Sequence, residues 1–209
     1  MIPPTTGRFP FVALAASLSI VCGCGGAPAT REPEEPRRVG SLPPLPTLTR
    51  PPAQLATALD AADALLSEVP PAAPADASVE VMSEWLVATY LPWTSAWLER
   101  IPGVADPLAA ASALDPDLRV FSSSIVALLF EIARARVLEL PVPPEVAADP
   151  AARADWAALL GEATSPAAAE ASALLAACVE LAGDRLDAAA WRDDCAARLA
   201  ALPAPAPAE

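Results

Sequence analysis

Residues 165–202 read SPAAAEASALLAACVELAGDRLDAAAWRDDCAARLAAL, and this stretch decides the fold. Ser165-Pro166 is typical of a helix start, because Ser caps the first turn and Pro needs no hydrogen bond there. Gly183 is typical of a helix end. A second helix is predicted to begin near Asp187 and to end before Pro203. The stretch therefore predicts two helices joined by a short turn.

Each predicted helix of this pair carries one cysteine on an apolar face. The shared faces are Leu174, Cys178 and Leu181 on the first helix, and Trp191, Cys195 and Leu199 on the second. If both faces point inward, the two cysteines form a disulfide that stabilises the domain by about 3 kcal/mol. Redox-active pairs usually lie in a CxxC motif, and a zinc site needs three or four ligands. We therefore favour a structural bond over a redox thiol or a metal site.

Helical spacing extends upstream to about residue 51. The first predicted helix repeats apolar residues at Leu55, Leu59, Ala62, Leu66 and Val69, and the next begins near Asp76 or Ser78. A third runs from about Pro116 to Leu140, with a core face of Leu118, Phe121, Ile125, Leu128, Leu129 and Ile132. A fourth follows the cap Asp149, carries Trp156, Leu159 and Leu160, and ends near Gly161. Asp106-Pro107 predicts only a short helical turn.

No segment alternates apolar and polar residues in the manner of a half-buried strand. The sequence therefore predicts an all-α domain over residues 51–202, a bundle of five to six antiparallel helices with one disulfide in a helical hairpin. Residues 203–209 are predicted to be a disordered tail.

An aromatic stripe lies on the second predicted helix. Its members at helical spacing are Met82, Trp85, Leu86, Thr89, Tyr90, Trp93 and Trp97. Pro92 is expected to kink or split this helix. Such a stripe usually packs into the core, and we favour that interpretation. The alternative is a partner-binding groove, with Trp85, Trp93 and Trp97 as the contact residues, because Trp and Tyr are enriched in binding hot spots.

The amino terminus has the pattern of a secretory signal, with an apolar run over residues 11–21 and small residues after it. Val21-Cys22-Gly23-Cys24 resembles the lipobox of bacterial lipoproteins. The resemblance implies that residues 1–23 are a signal peptide and that Cys24 is acylated and anchors the chain in a membrane. Gly25 favours the outer membrane, since an Asp at that position often retains lipoproteins in the inner membrane.

Two alternatives concern the same segment. The apolar run is about half the roughly 20 residues of a spanning helix, so a permanent transmembrane helix is not expected. A plain signal peptide could instead be cut elsewhere, for instance before Ala29. Beyond the cut, residues 24–50 are rich in Pro and mixed charges, which predicts a disordered tether. Pro43-Pro44-Leu45-Pro46 could alternatively be a polyproline ligand.

The composition bounds the chemistry. The net charge is −13, with 13 Arg, 26 acidic residues and no Lys or His. Such a chain is repelled by nucleic-acid phosphates, so no nucleic-acid partner is expected. Without His or Lys, a Ser-His-Asp site and Schiff-base chemistry are excluded. Ser122-Ser123-Ser124 has no visible base, and no cofactor or metal site is predicted.

The helices of residues 171–202 resemble the closing pair of tetratricopeptide-type repeats, with small residues at Ala168, Ala171, Ala176, Ala182, Ala188 and Ala189. The architecture is also similar to small helical outer-membrane pilotins. These patterns predict an outer-membrane lipoprotein, not an enzyme, whose helical domain binds an envelope protein. The alternatives are a carboxylate-dependent enzyme acting on envelope polymers and a spacer without a specific partner.

Overall fold

Helices account for the architecture throughout the part of the chain that the computed structural model describes, residues 53–75, 77–114 and 116–203. No strand occurs within these ranges. The all-α prediction is therefore confirmed. The predictions for residues 1–50 and for the tail after Pro203 lie outside the described residues.

The helical segments are more numerous than predicted, because the predicted second helix is divided and two further helices lie before and after the predicted third. In chain order they are α1 Ala53–Ser67, α2 Val79–Trp85, α3 Leu91–Leu98, α4 Ile101–Leu114, α5 Pro116–Leu138, α6 Pro144–Ala147, α7 Pro150–Ala163, α8 Ser165–Ala182 and α9 Ala189–Ala201. A π-helical turn, Leu86–Tyr90, joins α2 to α3, and a 3₁₀ turn, Leu186–Ala188, precedes α9.

The helix α5 lies at the centre of the fold. It packs against α1, α4, α7, α8 and α9, and every residue from Phe121 to Phe130 is buried. A helix that is apolar all round requires such surroundings. The hydroxyl of the buried Ser122 lies 2.7 Å from the hydroxyl of Ser112, and the two form a hydrogen bond. This polar group of the serine run is therefore satisfied within the core.

The helix α8 packs between α5 and α9. It is the one helix among the described residues whose length and apolar composition would allow it to cross a membrane. Its buried side chains recur at helical spacing on one face: Ala168, Ala171, Leu175, Cys178 and Ala182. Small residues on that face allow α5 to approach closely.

The predicted second helix is interrupted ahead of Pro92, as expected. The Leu91 N–H donates to the Leu86 carbonyl, five residues back instead of the four of an α-helix. Pro92 then occupies the first turn of α3, where its missing N–H is not needed. The change of helical phase also corrects one prediction: Thr89, expected on the aromatic face, is exposed.

The helix α4 was predicted only as a short turn at Asp106-Pro107. It spans Ile101–Leu114 and contains Pro107 within it. Its buried residues, Ile101, Val104, Leu108 and Ala111, follow helical spacing, so the signal was present in the sequence. Pro107 does not end the helix, because burial of this apolar face stabilises it by more than the hydrogen bond that Pro removes.

The predicted caps are mostly confirmed. Ser78 accepts a hydrogen bond from the Val81 N–H, Asp149 accepts one from the Ala151 N–H, and Gly183 ends α8 with φ of +48°. Ser165 is not a cap. The residue before α8 is Thr164, whose hydroxyl donates back to the Leu160 carbonyl, because α7 and α8 follow each other with a single residue between them.

Two predicted core positions are wrong. Val69 lies beyond the end of α1 and is 82% exposed, because the segment before Pro70 leaves the helix at Ser67. Leu181 is 40% exposed, and Leu175 takes the buried position on the face of Cys178. The observed buried face of α8 is therefore rotated about the helix axis relative to the predicted one. The observed face carries Ala168, Ala171 and Ala182.

Candidate partner-binding site

The predicted contact residue Trp97 lies in the core. Its side chain is 1% exposed, and its indole Nε1 donates to the Leu65 carbonyl at 3.1 Å. This bond satisfies one of the free carbonyls at the end of α1. Trp97 thus links α3 to α1 and offers no surface to a partner.

Trp93 is half-buried and is also used within the domain. Its Nε1 donates to Glu68 Oε1 at 3.0 Å. Glu68 also pairs with Arg100, and hydrogen bonding from Arg100 holds the pKa of the Glu68 carboxyl below its ordinary value. The edge of Trp93 is therefore fixed against the segment that follows α1.

Arg136 connects these aromatic rings to α1, and the sequence analysis missed it. Its guanidinium carbon lies 5.4 Å from the ring centre of Trp93 and 4.9 Å from that of Trp97, in cation–π geometry. Its Nη2 donates to the carbonyls of Leu66 at 3.2 Å and Glu68 at 2.6 Å. One side chain of α5 therefore caps the end of α1 and stacks on two rings of α3.

Burial around Arg136 affects the ionisation of the groups there. Desolvation lowers the pKa of Arg136 from its ordinary value, while Tyr90, Glu68 and Glu139 oppose that shift. Burial raises the pKa of the Tyr90 hydroxyl to about 12, and this hydroxyl donates to the Arg136 carbonyl at 2.9 Å. The raised pKa keeps the Tyr90 hydroxyl protonated near neutral pH.

Of the three predicted contact residues, Trp85 makes the fewest interactions with other described residues. It is half-buried, and its ring lies 5.1 Å from that of Tyr90 at 38°. Tyr90 in turn lies 5.9 Å from Trp93. A small cluster forms around Tyr90, Leu140 and Leu160, against which Trp85 and Trp156 pack. Among the three predicted residues, Trp85 is the one whose indole has no hydrogen bond to the described residues, whereas Trp93 and Trp97 each donate one.

A buried ion-pair network fastens α9 to α5. Arg198, with an 11% exposed side chain, donates to both carboxylate oxygens of Glu131 at 3.0–3.2 Å. It also donates to Asp194 Oδ2 at 3.1 Å and to the hydroxyl and carbonyl of Ser124. Burial raises the pKa of Glu131 above its ordinary value, against the opposing effect of Arg198. These two acids share a guanidinium, which favours a structural role over catalysis.

The predicted disulfide is confirmed. Cys178 and Cys195 are joined by an S–S bond of 2.06 Å, with Cα atoms 6.3 Å apart, and both residues are 0% exposed. The bond links α8 to α9 behind the edge-to-face pair of Phe121 and Trp191. Within the described residues no group of three or more His, Cys, Asp or Glu side chains is arranged to hold a metal ion.

No protein-family model, curated protein or solved structure shows a significant match to this chain. Its function is therefore argued from its own residues.

Proposed function

We propose that the protein is an outer-membrane lipoprotein whose helical domain binds a partner protein at the cell envelope. The anchor would be Cys24, within Val21-Cys22-Gly23-Cys24. The proline-rich residues 25–50 would hold the domain at a distance from the membrane. The domain would act by binding and not by chemistry.

The observation that carries this proposal is the buried disulfide. Disulfides persist in oxidising compartments and are rare in the reducing cytosol. Cys178 and Cys195 stand at adjacent buried positions of α8 and α9, so the bond belongs to the folded domain. A secreted location agrees with the signal pattern, which was recognised from a separate part of the chain.

The anchor is tested by replacing Cys24 with Ser in cells that make the full chain. The expected result is loss of fatty-acid labelling, accumulation of the uncleaved precursor and loss of the mature form from the outer-membrane fraction. Cys22→Ser serves as the matched control, because it removes a leader cysteine that is not the residue expected to be acylated. Unchanged labelling and cleavage of the Cys24→Ser chain would contradict the lipoprotein proposal.

The binding role is supported by Trp85, a large aromatic side chain that remains half-buried beside exposed residues. The test is affinity purification of the lipidated protein from gently solubilised envelopes. We expect one partner in stoichiometric amount, lost when Trp85 is replaced by Ala, at a temperature at which circular dichroism shows the variant still folded. Leu181→Ala, an exposed change on α8, is the control.

Two outcomes would redirect the proposal. A domain that co-purifies with no protein would favour the spacer. Hydrolysis of an envelope polymer that is lost in Glu131→Gln, with folding retained, would favour the carboxylate-dependent enzyme. The direct bonds from Arg198 to Glu131 and Asp194 argue against a catalytic role for these two acids.

A further inference from the structure

The outward face of α2 forms a mixed apolar and acidic surface around Trp85. Val81, Glu84 and Trp85 follow the spacing i, i+3 and i+4 within α2 and therefore share one face of that helix. Val81 is 47% exposed, Glu84 is exposed, and Trp85 is half-buried. We refer to this face as the Trp85 surface.

A second segment lies beside the start of α2. Glu145 Oε2 accepts a hydrogen bond from the Val79 N–H at 3.2 Å, which places the start of α6 beside the first turn of α2. Val142, just before α6, is 41% exposed. Trp85 packs against the cluster around Tyr90, Leu140 and Leu160, so the position of its ring is fixed before a partner binds.

The charge beside the Trp85 surface is negative. Glu80 and Glu84 are both exposed on α2 and lie one turn apart. Residues 51–203 contain 22 acidic residues and 8 Arg. Arg136 of α5 donates to the carbonyls at the end of α1. It is therefore not placed to neutralise the carboxylates of α2.

We infer that the Trp85 surface binds a basic segment of the partner protein, one that combines Arg or Lys side chains with apolar residues. The inference rests on the proposed binding function and names the chemistry of its partner. A guanidinium or ammonium group pairs with the carboxylates of Glu80 and Glu84 and lies against the accessible part of the half-buried Trp85 indole. The apolar residues of the segment pack on Val81.

Charge complementarity also decides against other occupants. A second copy of this chain would bring the same acidic face and the same net charge of −13. Nucleic acid is repelled for the same reason. A basic segment is attracted over a distance of about 10 Å at 0.1 M salt, which raises the rate of association.

The test is site-specific photo-crosslinking in intact envelopes, using the full chain with its anchor. Amine-reactive reagents are unsuitable because the chain has no Lys. A photoreactive side chain is placed in turn at Val81, Val87 and Leu181. Val87 is 54% exposed on the same segment but lies away from the shared face, and Leu181 is 40% exposed on α8, so both are matched controls.

We expect position 81 to give the strongest crosslink, to a peptide that mass spectrometry shows to contain Arg or Lys. The double variant E80Q/E84Q should lower that yield by about threefold or more at low salt, and the difference should shrink near 0.5 M NaCl. Both carboxylates are exposed, so the variant should fold normally, which the melting temperature checks.

Each other outcome has a distinct meaning. Equal yields from positions 87 or 181, a crosslinked peptide without basic residues, or no effect of E80Q/E84Q would overturn the inference while leaving a binding function in place. No crosslink from any position, together with no co-purifying protein, would overturn the proposed function as well.

Discussion

At the scale of single residues, Arg136 has the most consequential position in the described fold. It caps α1 through two carbonyls and stacks on Trp93 and Trp97. Its buried Nη1 has no hydrogen-bond partner among the described residues, so within them the side chain is held by its Nη2 bonds and by the rings. Three helices therefore depend on one guanidinium.

Replacing Arg136 with Ala should destabilise the domain by about 2–4 kcal/mol, because two carbonyls and two indole faces lose their partner. Urea unfolding followed by tryptophan fluorescence measures the change. Arg153→Ala is the control, since Arg153 is exposed on α7, and it should change the free energy of unfolding by less than about 0.5 kcal/mol. Equal effects of the two changes would contradict the capping role.

Glu131 gives the domain a specific dependence on pH. Burial raises its pKa in the folded state, so the folded protein binds this proton more tightly than the unfolded chain. The favourable contribution is full below the unfolded pKa and is lost as pH rises through the folded pKa. At neutral pH the domain therefore lacks the stability that protonation of Glu131 would add.

Wild-type protein should consequently gain stability relative to Glu131→Gln as pH falls from 7 toward 4. Urea midpoints at a series of pH values measure this difference. Glu162→Gln, a change at an exposed acid, should run parallel to wild type. A wild-type advantage that does not vary with pH would show that the buried network, and not ionisation of Glu131, sets the stability of α9.

The three predicted contact residues show that a sequence indicates which face of a helix is buried better than it indicates which residues can contact a partner protein. The aromatic spacing correctly indicated an inward stripe, and Trp97 and Tyr90 are buried. The same spacing could not separate Trp85 from Trp93 and Trp97. That separation depends on Leu65, Glu68 and Arg136, which come from other helices and meet the indoles only after folding.

At the scale of elements, the hairpin α8–α9 was the most predictable part of the fold. Its start, its Gly183 stop and its cysteine spacing are local signals, and the disulfide closes over a separation of 17 residues. The helix α4 and the π-helical turn were less predictable, because each depends on whether burial compensates for a proline. That balance is set by neighbouring helices and not by the local sequence.

Removing the disulfide with C178A/C195A should lower the free energy of unfolding by about 3 kcal/mol, chiefly by freeing the unfolded chain. Urea unfolding at one temperature measures the loss. Wild-type protein that has been unfolded and reduced should match the variant when its thiols are blocked. An unchanged urea midpoint would mean that packing of α8 on α5 alone fixes the hairpin.

Gly183 and Gly161 form a matched pair for the role of glycine. Gly183→Ala should cost about 1 kcal/mol, because φ of +48° is unfavourable for a side chain with Cβ. Gly161→Ala lies within α7 with open space around it and should stabilise by about 0.5–1 kcal/mol. Thermal melts of both variants provide the comparison. Equal shifts in one direction would contradict the conformational argument.

At the scale of the whole molecule, α5 makes the described helices interdependent. It packs against α1, α4, α7, α8 and α9, so loosening it affects most of the core at once. The uncharged run Val120–Phe130 predicts that this part of α5 is buried, but it does not predict that α5 lies at the centre of the fold. Which helices surround it follows from three-dimensional packing.

Leu129→Ala, at a position that is 0% exposed, should destabilise by about 2–5 kcal/mol through lost burial and a residual cavity. Hydrogen exchange should show the slow amides of α4, α5 and α8 losing protection together. Val69→Ala, outside the helices and 82% exposed, is the control. Loss of protection confined to α5 would contradict a single cooperative unit.

The position of the disulfide also sets an order of events during synthesis. The chain is made from its amino terminus, so α5 is complete before Cys178 or Cys195 exists. The covalent bond therefore becomes possible only after the central helix has been made. A chain that stops before Cys195 keeps a thiol at Cys178, so an unfinished copy differs chemically from a finished one.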